Sequence, residues 1–165
     1  MLLSQTNGDG DHHQRFHFLL GSDGRGSRYI EVPAGGSRLP ISREVLERKL
    51  NAFVMDGPKV WDFAVTTVPQ VIRALLAEHG LVPADLDLLI LHQSNLRMIE
   101  VIVASLGLCM DDTITTVEVY GNTAAASIPL TLGKAVKKGR LRPGSRVVLC
   151  GFGGGLSWGA ALMEW

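Results

Sequence analysis

The spacing of apolar positions changes several times along the chain, and each change marks an element. Phe16 to Leu20 is a short apolar run stopped by Gly21-Ser22-Asp23-Gly24, a turn-forming cluster, and it predicts a first strand. Residues 22–41 are rich in glycine and proline and read as loop. Val45, Leu46 and Leu50 fit one side of a short helix. The pattern then becomes regular. Val60, Phe63, Ala64, Thr67, Val68, Val71, Ile72, Leu75 and Leu76 recur at three- and four-residue steps, the apolar stripe of a long helix. Asp56-Gly57-Pro58 supplies its start, with Pro58 where a missing N–H costs nothing, and His79-Gly80 its end. Pro69 lies inside the stripe. An interior proline costs about 3 kcal/mol, so a kink near Thr66 is expected within one helix.

From there strands and helices alternate. The expected elements are a strand at Leu86–Leu91, a helix at Asn95–Leu106 closed by Gly107, and a strand at Ile114–Val119. A helix at Ala124–Lys137 closed by Gly139 and a strand at Val147–Cys150 follow. Gly151-Phe152-Gly153-Gly154-Gly155 reads as a turn before a last strand, Ser157–Met163. Strands separated by helices of 10–15 residues imply crossovers and a parallel sheet. The final turn is too short for a crossover, so its last strand must run antiparallel. The fold class is α/β, a mixed and mainly parallel sheet with helices packed on its faces. The helix from Ala124 is apolar or small nearly all round, the pattern of a fully buried helix. So short a chain rarely surrounds such a helix, and another chain or domain is expected to cover it.

Composition narrows the class. With 165 residues and 46% hydrophobic content, the chain can form one domain with a real core, expected over 16–165. Residues 1–15 are polar and aperiodic and read as a mobile leader. Sixteen Lys+Arg balance sixteen Asp+Glu, which argues against a general nucleic-acid or membrane-surface binder. No apolar run of the roughly 18 residues needed for a membrane span is expected. The start lacks a basic region followed by an apolar stretch, so a cytoplasmic location is expected. The two cysteines, Cys109 and Cys150, cannot form a disulfide scaffold and fit a reducing compartment. Asp11, His12, His13 and His17 could be metal ligands, but nothing near them fixes a coordination geometry, and the reading is a solvated tract without metal.

Three short stretches can carry chemistry. Leu91-His92-Gln93-Ser94-Asn95 puts a histidine and two amides where a strand ends and a helix begins, the edge at which open α/β sheets bind ligands. His92 there can donate to a developing oxyanion or move a proton; it can equally cap the turn. Tyr120-Gly121-Asn122-Thr123 offers an amide donor at the next such edge, or simply a turn with a helix cap. Phe152-Gly153-Gly154-Gly155 frees backbone N–H groups for close approach by a ligand, or forms a tight reversal requiring positive φ. No Gly-Lys-Ser/Thr follows, so it is not a phosphate-cradling loop.

Taken in order, Leu-His-Gln-Ser-Asn-Leu-Arg, Tyr-Gly-Asn-Thr-Ala-Ala-Ala-Ser-Ile-Pro and Gly-Phe-Gly-Gly-Gly-Leu-Ser-Trp-Gly-Ala resemble the C-terminal half of a type III β-ketoacyl-ACP synthase. The resemblance runs from about Leu20 to Trp165 and includes Met55-Asp56-Gly57. It implies half of a thiolase-like fold, whose 124–137 helix packs against its counterpart from the other half. It also implies an enzyme that condenses acyl-CoA with malonyl-ACP, these being substrates with no further cofactor. By motif, His92 and Asn122 would be two members of a Cys-His-Asn triad, donating to the malonyl thioester oxygen as CO2 leaves. Gly154 would give an oxyanion-hole N–H, Phe152 would flank the acyl pocket, Gly57 and Asn95 would line the pantetheine tunnel, and Arg97 would meet the carrier protein. The family's nucleophilic cysteine belongs to an N-terminal half with no counterpart here, and neither Cys109 nor Cys150 is placed to replace it. The expected partners are therefore acyl-CoA, acyl carrier protein, and a Cys-bearing half or homologous ketosynthase chain, with homo-oligomerisation. The alternatives are a non-catalytic dimerisation module or remnant, a piece of a longer enzyme, and an O-acyltransferase relative.

Overall fold

The computed structural model describes residues 16–165; the expected leader, with Asp11, His12 and His13, lies outside the described residues. In chain order the elements are β1 (Phe16–Ser22), β2 (Ile30–Glu31), α1 (Arg43–Glu47), β3 (Val54–Met55), α2 (Gly57–Ala77), β4 (Leu88–Leu91), α3 (Leu96–Ser105), α4 (Val117–Tyr120), α5 (Ser127–Lys137), β5 (Arg146–Gly153) and β6 (Ser157–Glu164). The main sheet has the order β1-β6-β5-β4, and β2 pairs with β3 in a small ribbon. Strand β6 runs antiparallel to both neighbours, and β5 pairs parallel with β4. Three of the four strands thus share one direction and only β6 opposes them, as its short turn requires.

Alternation along the strands sorts the core into two layers. Leu89, Leu91, Val148, Cys150, Ala160 and Leu162 face α2 and α3, while Leu88, Ile90, Val147 and Met163 face α5. Helix α2 forms where its stripe predicts. Asp56 accepts a hydrogen bond from the Lys59 N–H at 3.1 Å, Pro58 lies in the first turn, and Gly80 follows the last turn at φ +68°. The helix is continuous through Thr66 and Pro69. Contrary to the expectation that no such run exists, Gly57–Ala77 is long and apolar enough to cross a membrane by length and composition. Its stripe of Val60, Ala64, Val68, Ile72, Leu75 and Leu76 is buried against the rest of the fold.

Among the departures from the sequence expectation, three bear on the site. The strand at Ile114–Val119 is absent: Thr113 makes one isolated parallel bridge to Leu89, and Val117–Tyr120 is a helical turn. Side chains replace the ladder there. Thr113 Oγ1 donates to the Leu89 carbonyl at 2.6 Å, and Gln93 Oε1 accepts from the N–H groups of Thr116 and Val117 at 2.7 and 3.2 Å. The N–H groups of Thr116 and Val117 are thus satisfied without a paired strand. Strand β5 continues to Gly153, so the glycine turn is confined to Gly154–Leu156. Helix α5 starts at Ser127, after a 3-10 turn over Ala124–Ala126 that Ala124 enters at φ +49°.

Helix α5 covers the sheet chiefly over β4 and β5, with Met163 of β6 at its margin. Beyond it Phe16, Phe18 and Leu20 of β1 are 40%, 62% and 75% exposed, and α5 leaves Leu130 and Val136 bare. Phe18 and Leu20 border an apolar groove with Ile128, Leu149 and Ala161. The helix expected to be buried all round has one side on the sheet and the other uncovered by the described residues of this chain.

Candidate active site

Three elements of the main fold and the β2–β3 ribbon meet at a cavity of about 400 Å³, within the range of small-molecule sites. His92, Asn122, Phe152, Gly153 and Gly154 line it together, so the three stretches singled out in the sequence converge.

His92 follows β4 directly. Its backbone N–H donates to the Cys150 carbonyl at 2.8 Å, which extends the β4–β5 ladder by one residue and fixes where the ring begins. The imidazole stands edge-on to Phe152, centroids 5.3 Å apart at 83°. Phe152 is in turn held edge-on by Phe63 of α2 at 6.4 Å. Burial pushes the His92 pKa below its ordinary 6.5. At neutral pH the ring is therefore uncharged, with one N–H to donate and one nitrogen to accept.

Asn122 reaches the cavity from the turn between α4 and α5. Its Oδ1 accepts from the Ala124 N–H at 2.9 Å, which braces Ala124 in its left-handed conformation. With the oxygen committed, the side-chain NH2 is the group left to act on a ligand. Gly154 begins the β5–β6 turn. A Cβ built there would lie 3.5 Å from the Ile30 carbonyl, an ordinary contact, so Gly154 does not supply the reversal's unusual backbone. That role falls to Gly155, at φ +143°, where a Cβ would sit 2.2 Å from Ser157 Oγ. The positive φ expected of the glycine run is a property of its third member.

Gly57, Asn95 and Arg97 are not among the residues lining the cavity. Gly57 opens α2 two residues after Met55, which does line it. Asn95 caps α3, its Oδ1 accepting from the Met98 N–H at 3.3 Å. Arg97 is exposed in the first turn of α3. Conversely, Ile30, Phe53 and Met55 line the cavity without having been picked out for chemistry. The sequence signal for Phe53 and Met55 is an apolar Phe53-Val54-Met55 just before a helix start, and Met55 also opens the Met55-Asp56-Gly57 stretch of the resemblance.

Neither cysteine lines the cavity. Cys150 is buried in the core and burial pushes its thiol up to about 12, so it stays protonated. Cys109 is exposed and precedes a three-residue 3-10 turn, where its N–H and Sγ both approach Asp112 Oδ2, at 2.7 and 3.1 Å. His17, the one member of the candidate metal tract that is described, lies in β1 with its ring 3.7 Å from that of His79. No group of three or more His, Cys, Asp or Glu able to hold a metal occurs among the described residues.

Comparison with known proteins places the chain. Residues 76–165 match the family described as 3-oxoacyl-[acyl-carrier-protein] synthase III, C terminal. A β-ketoacyl-[acyl-carrier-protein] synthase III of Symbiobacterium thermophilum is 42% identical over 147 residues, 89% of this chain and 44% of that protein. An acetoacetyl CoA synthase of Streptomyces is 45% identical over 136 residues, covering 82% of this chain and 41% of that one. Among solved structures, the synthase III of Thermus thermophilus superposes with a TM-score of 0.83 at 37% identity, over 96% of this chain and 48% of that chain. The chain thus spans less than half the length of the curated relatives it matches. Sequence match, superposition and the shared α/β architecture agree: this chain belongs to the C-terminal family of the type III 3-oxoacyl-ACP synthases, with half of a thiolase-like fold.

Proposed function

We propose that this chain supplies the His- and Asn-bearing half of a decarboxylating acyl-condensing site and works with a Cys-bearing half. The observation that carries the reading is the convergence of His92, Asn122 and Gly154 on one largely apolar cavity. In the reaction a cysteine thiolate of the other half takes the acyl group from acyl-CoA, releasing the CoA thiol. Malonyl-ACP then loses CO2, and the electron pair of the broken C–C bond forms an enolate at the thioester. Its carbon attacks the acyl-cysteine, forming the new C–C bond and expelling the thiolate.

The roles follow from the chemistry of the groups. Neutral His92 and the Asn122 NH2 donate to the thioester oxygen as it gains charge. The N–H of Gly154 donates to the other oxyanion, formed when the acyl thioester is attacked. Phe152 holds the His92 ring and borders the acyl chain. Gly57 and Asn95, lying off the cavity, serve the approach of the pantetheine arm, and Arg97 offers an exposed cation to an acidic carrier protein. The bare face of β1 and α5 is where the Cys-bearing half would pack.

The acetoacetyl CoA synthase among the relatives favours a second acceptor, a CoA thioester in place of the carrier protein. The two separate at Arg97: Arg97→Glu is expected to weaken use of a carrier-protein substrate and leave a CoA substrate untouched. The reading itself is tested by intact mass after incubation with a short acyl-CoA, with and without a Cys-bearing N-terminal half. Acylation of that half, dependent on this chain, is expected. A stable adduct on this chain alone would overturn it, and no adduct in either case would favour a non-catalytic module.

A further inference from the structure

A line of buried polar side chains joins the seat of His92 to the seat of Asn122, and none of these side chains has a place in the chemistry above. Gln93 is fully buried. Its Nε2 donates to the Leu91 carbonyl at 2.9 Å, and its Oε1 accepts from the N–H groups of Thr116 and Val117. Thr116 and Thr131, 1% and 0% exposed, share a hydrogen bond of 2.9 Å between their hydroxyls. Thr131 Oγ1 also donates to the Ser127 carbonyl at 2.8 Å. A hydroxyl has one hydrogen, so Thr116 must be the donor to Thr131. Ser127 Oγ then meets Thr123 Oγ1 at 3.2 Å, and Thr123 is the residue after Asn122.

We infer that this chain of hydrogen bonds, from Gln93 through Thr116, Thr131 and Ser127 to Thr123, sets the spacing between His92 and Asn122, with Gln93 as a positioning residue. The inference rests on the catalytic reading for its purpose but not for its geometry. In this fold the two donors stand on segments that share no strand ladder, because Thr113 alone bridges to β4. Backbone pairing therefore cannot fix their separation, and the side chains do. Stability gives no reason for the arrangement, since replacing both partners of a buried hydrogen bond by apolar groups of the same shape is often close to neutral. A valine pair at 116 and 131 would fill the same space.

The test uses the full chain and two independent variants, Gln93→Met and the double change Thr116→Val with Thr131→Val. The second removes one link together with both of its partners, so it is expected to fold even where the first does not. NMR signals of the His92 ring and the Asn122 NH2 are recorded, with Leu19 and Ala160 as markers of the β1–β6 strand pair and Thr115→Ala, a neighbour outside the chain, as control. Broadening or splitting of both site signals in the double variant, with strand-pair signals and control unchanged, is expected. Folded variants with both site signals unmoved would overturn the inference. With a Cys-bearing half present, decarboxylation kcat is expected to fall about 10- to 100-fold while KM stays within about twofold, as a small misplacement of the donors dictates. If the wild-type pair is inactive yet the site signals respond, the catalytic reading falls and the positioning stands.

Discussion

Asn122 joins two functions in one side chain, and a single substitution separates them. Its oxygen braces Ala124, while its NH2 is the proposed donor. Asn122→Asp keeps an oxygen for the Ala124 N–H, removes the donor, and places negative charge where the enolate oxygen would develop. The melting temperature should move little, and condensation with a Cys-bearing half should fall about 100- to 1000-fold. A melting loss large enough to explain the activity would instead make the NH2 structural. His92 gives a pH signature at the same scale. Its pKa is lowered by burial, so between the folded value and 6.5 the unfolded chain binds more protons than the folded one. Stability from this group is complete above pH 6.5 and is lost as pH falls through the folded pKa. Urea midpoints measured down that window should decline, and less steeply in His92→Gln; identical slopes would show that His92 is not the group responsible. The cysteines divide by the same logic. Exposed Cys109 should react with a thiol reagent in the folded protein, and Cys150, pushed up to about 12, only after unfolding.

At the level of elements, the glycine turn makes a sharp comparison between neighbours. Gly155→Ala forces a side chain into a φ of +143° and against Ser157, and should cost about 2–4 kcal/mol in chemical denaturation. Gly154→Ala meets only ordinary contacts and should fold, so any loss of acyl transfer in it reports on the cavity. Equal destabilisation by both would contradict this assignment of the turn. Helices α2 and α3 were readable in advance because their signals are local: Asp56 and Asn95 at the starts, Gly80 and Gly107 past the ends, and a 3.6-residue stripe between. The strand expected at Ile114–Val119 failed for a non-local reason. Its β-branched residues satisfy the local preference, but the side-chain Oε1 of Gln93, 23 residues before Thr116, takes the N–H groups of Thr116 and Val117. His92, Asn122 and Gly154 were legible because each stands in the connection just after an element. Ile30, Phe53 and Met55 were not, because the ribbon that brings them to the cavity pairs residues far apart in the chain. Gly57, Asn95 and Arg97 were named from resemblance, and they lie off the cavity wall.

At the scale of the molecule, the apolar surface left bare beside α5 can be weighed. Phe16, Phe18, Leu20, Leu130 and Val136 are between 40% and 75% exposed. Full burial of such a side chain is worth about 1.5–3 kcal/mol, so covering their exposed fractions yields roughly 4–8 kcal/mol in all. Association of two proteins costs about 4–15 kcal/mol before any contact is counted. Two copies meeting through this patch would bury it twice, roughly 8–16 kcal/mol in all, which exceeds that cost only narrowly, whereas a shaped half-domain that also completed the cavity and covered the β1 edge would gain more. The chain alone should show weak, concentration-dependent self-association by light scattering. Phe18→Lys with Leu20→Lys should abolish it, because two ammonium groups then stand on the strand's outer face, where solvent keeps the change harmless to the core. The same pair of lysines should also block binding of a Cys-bearing half. If the wild-type chain is a monodisperse monomer at every concentration and the lysine variant still accepts that half, the bare face is ordinary surface and the second half docks elsewhere.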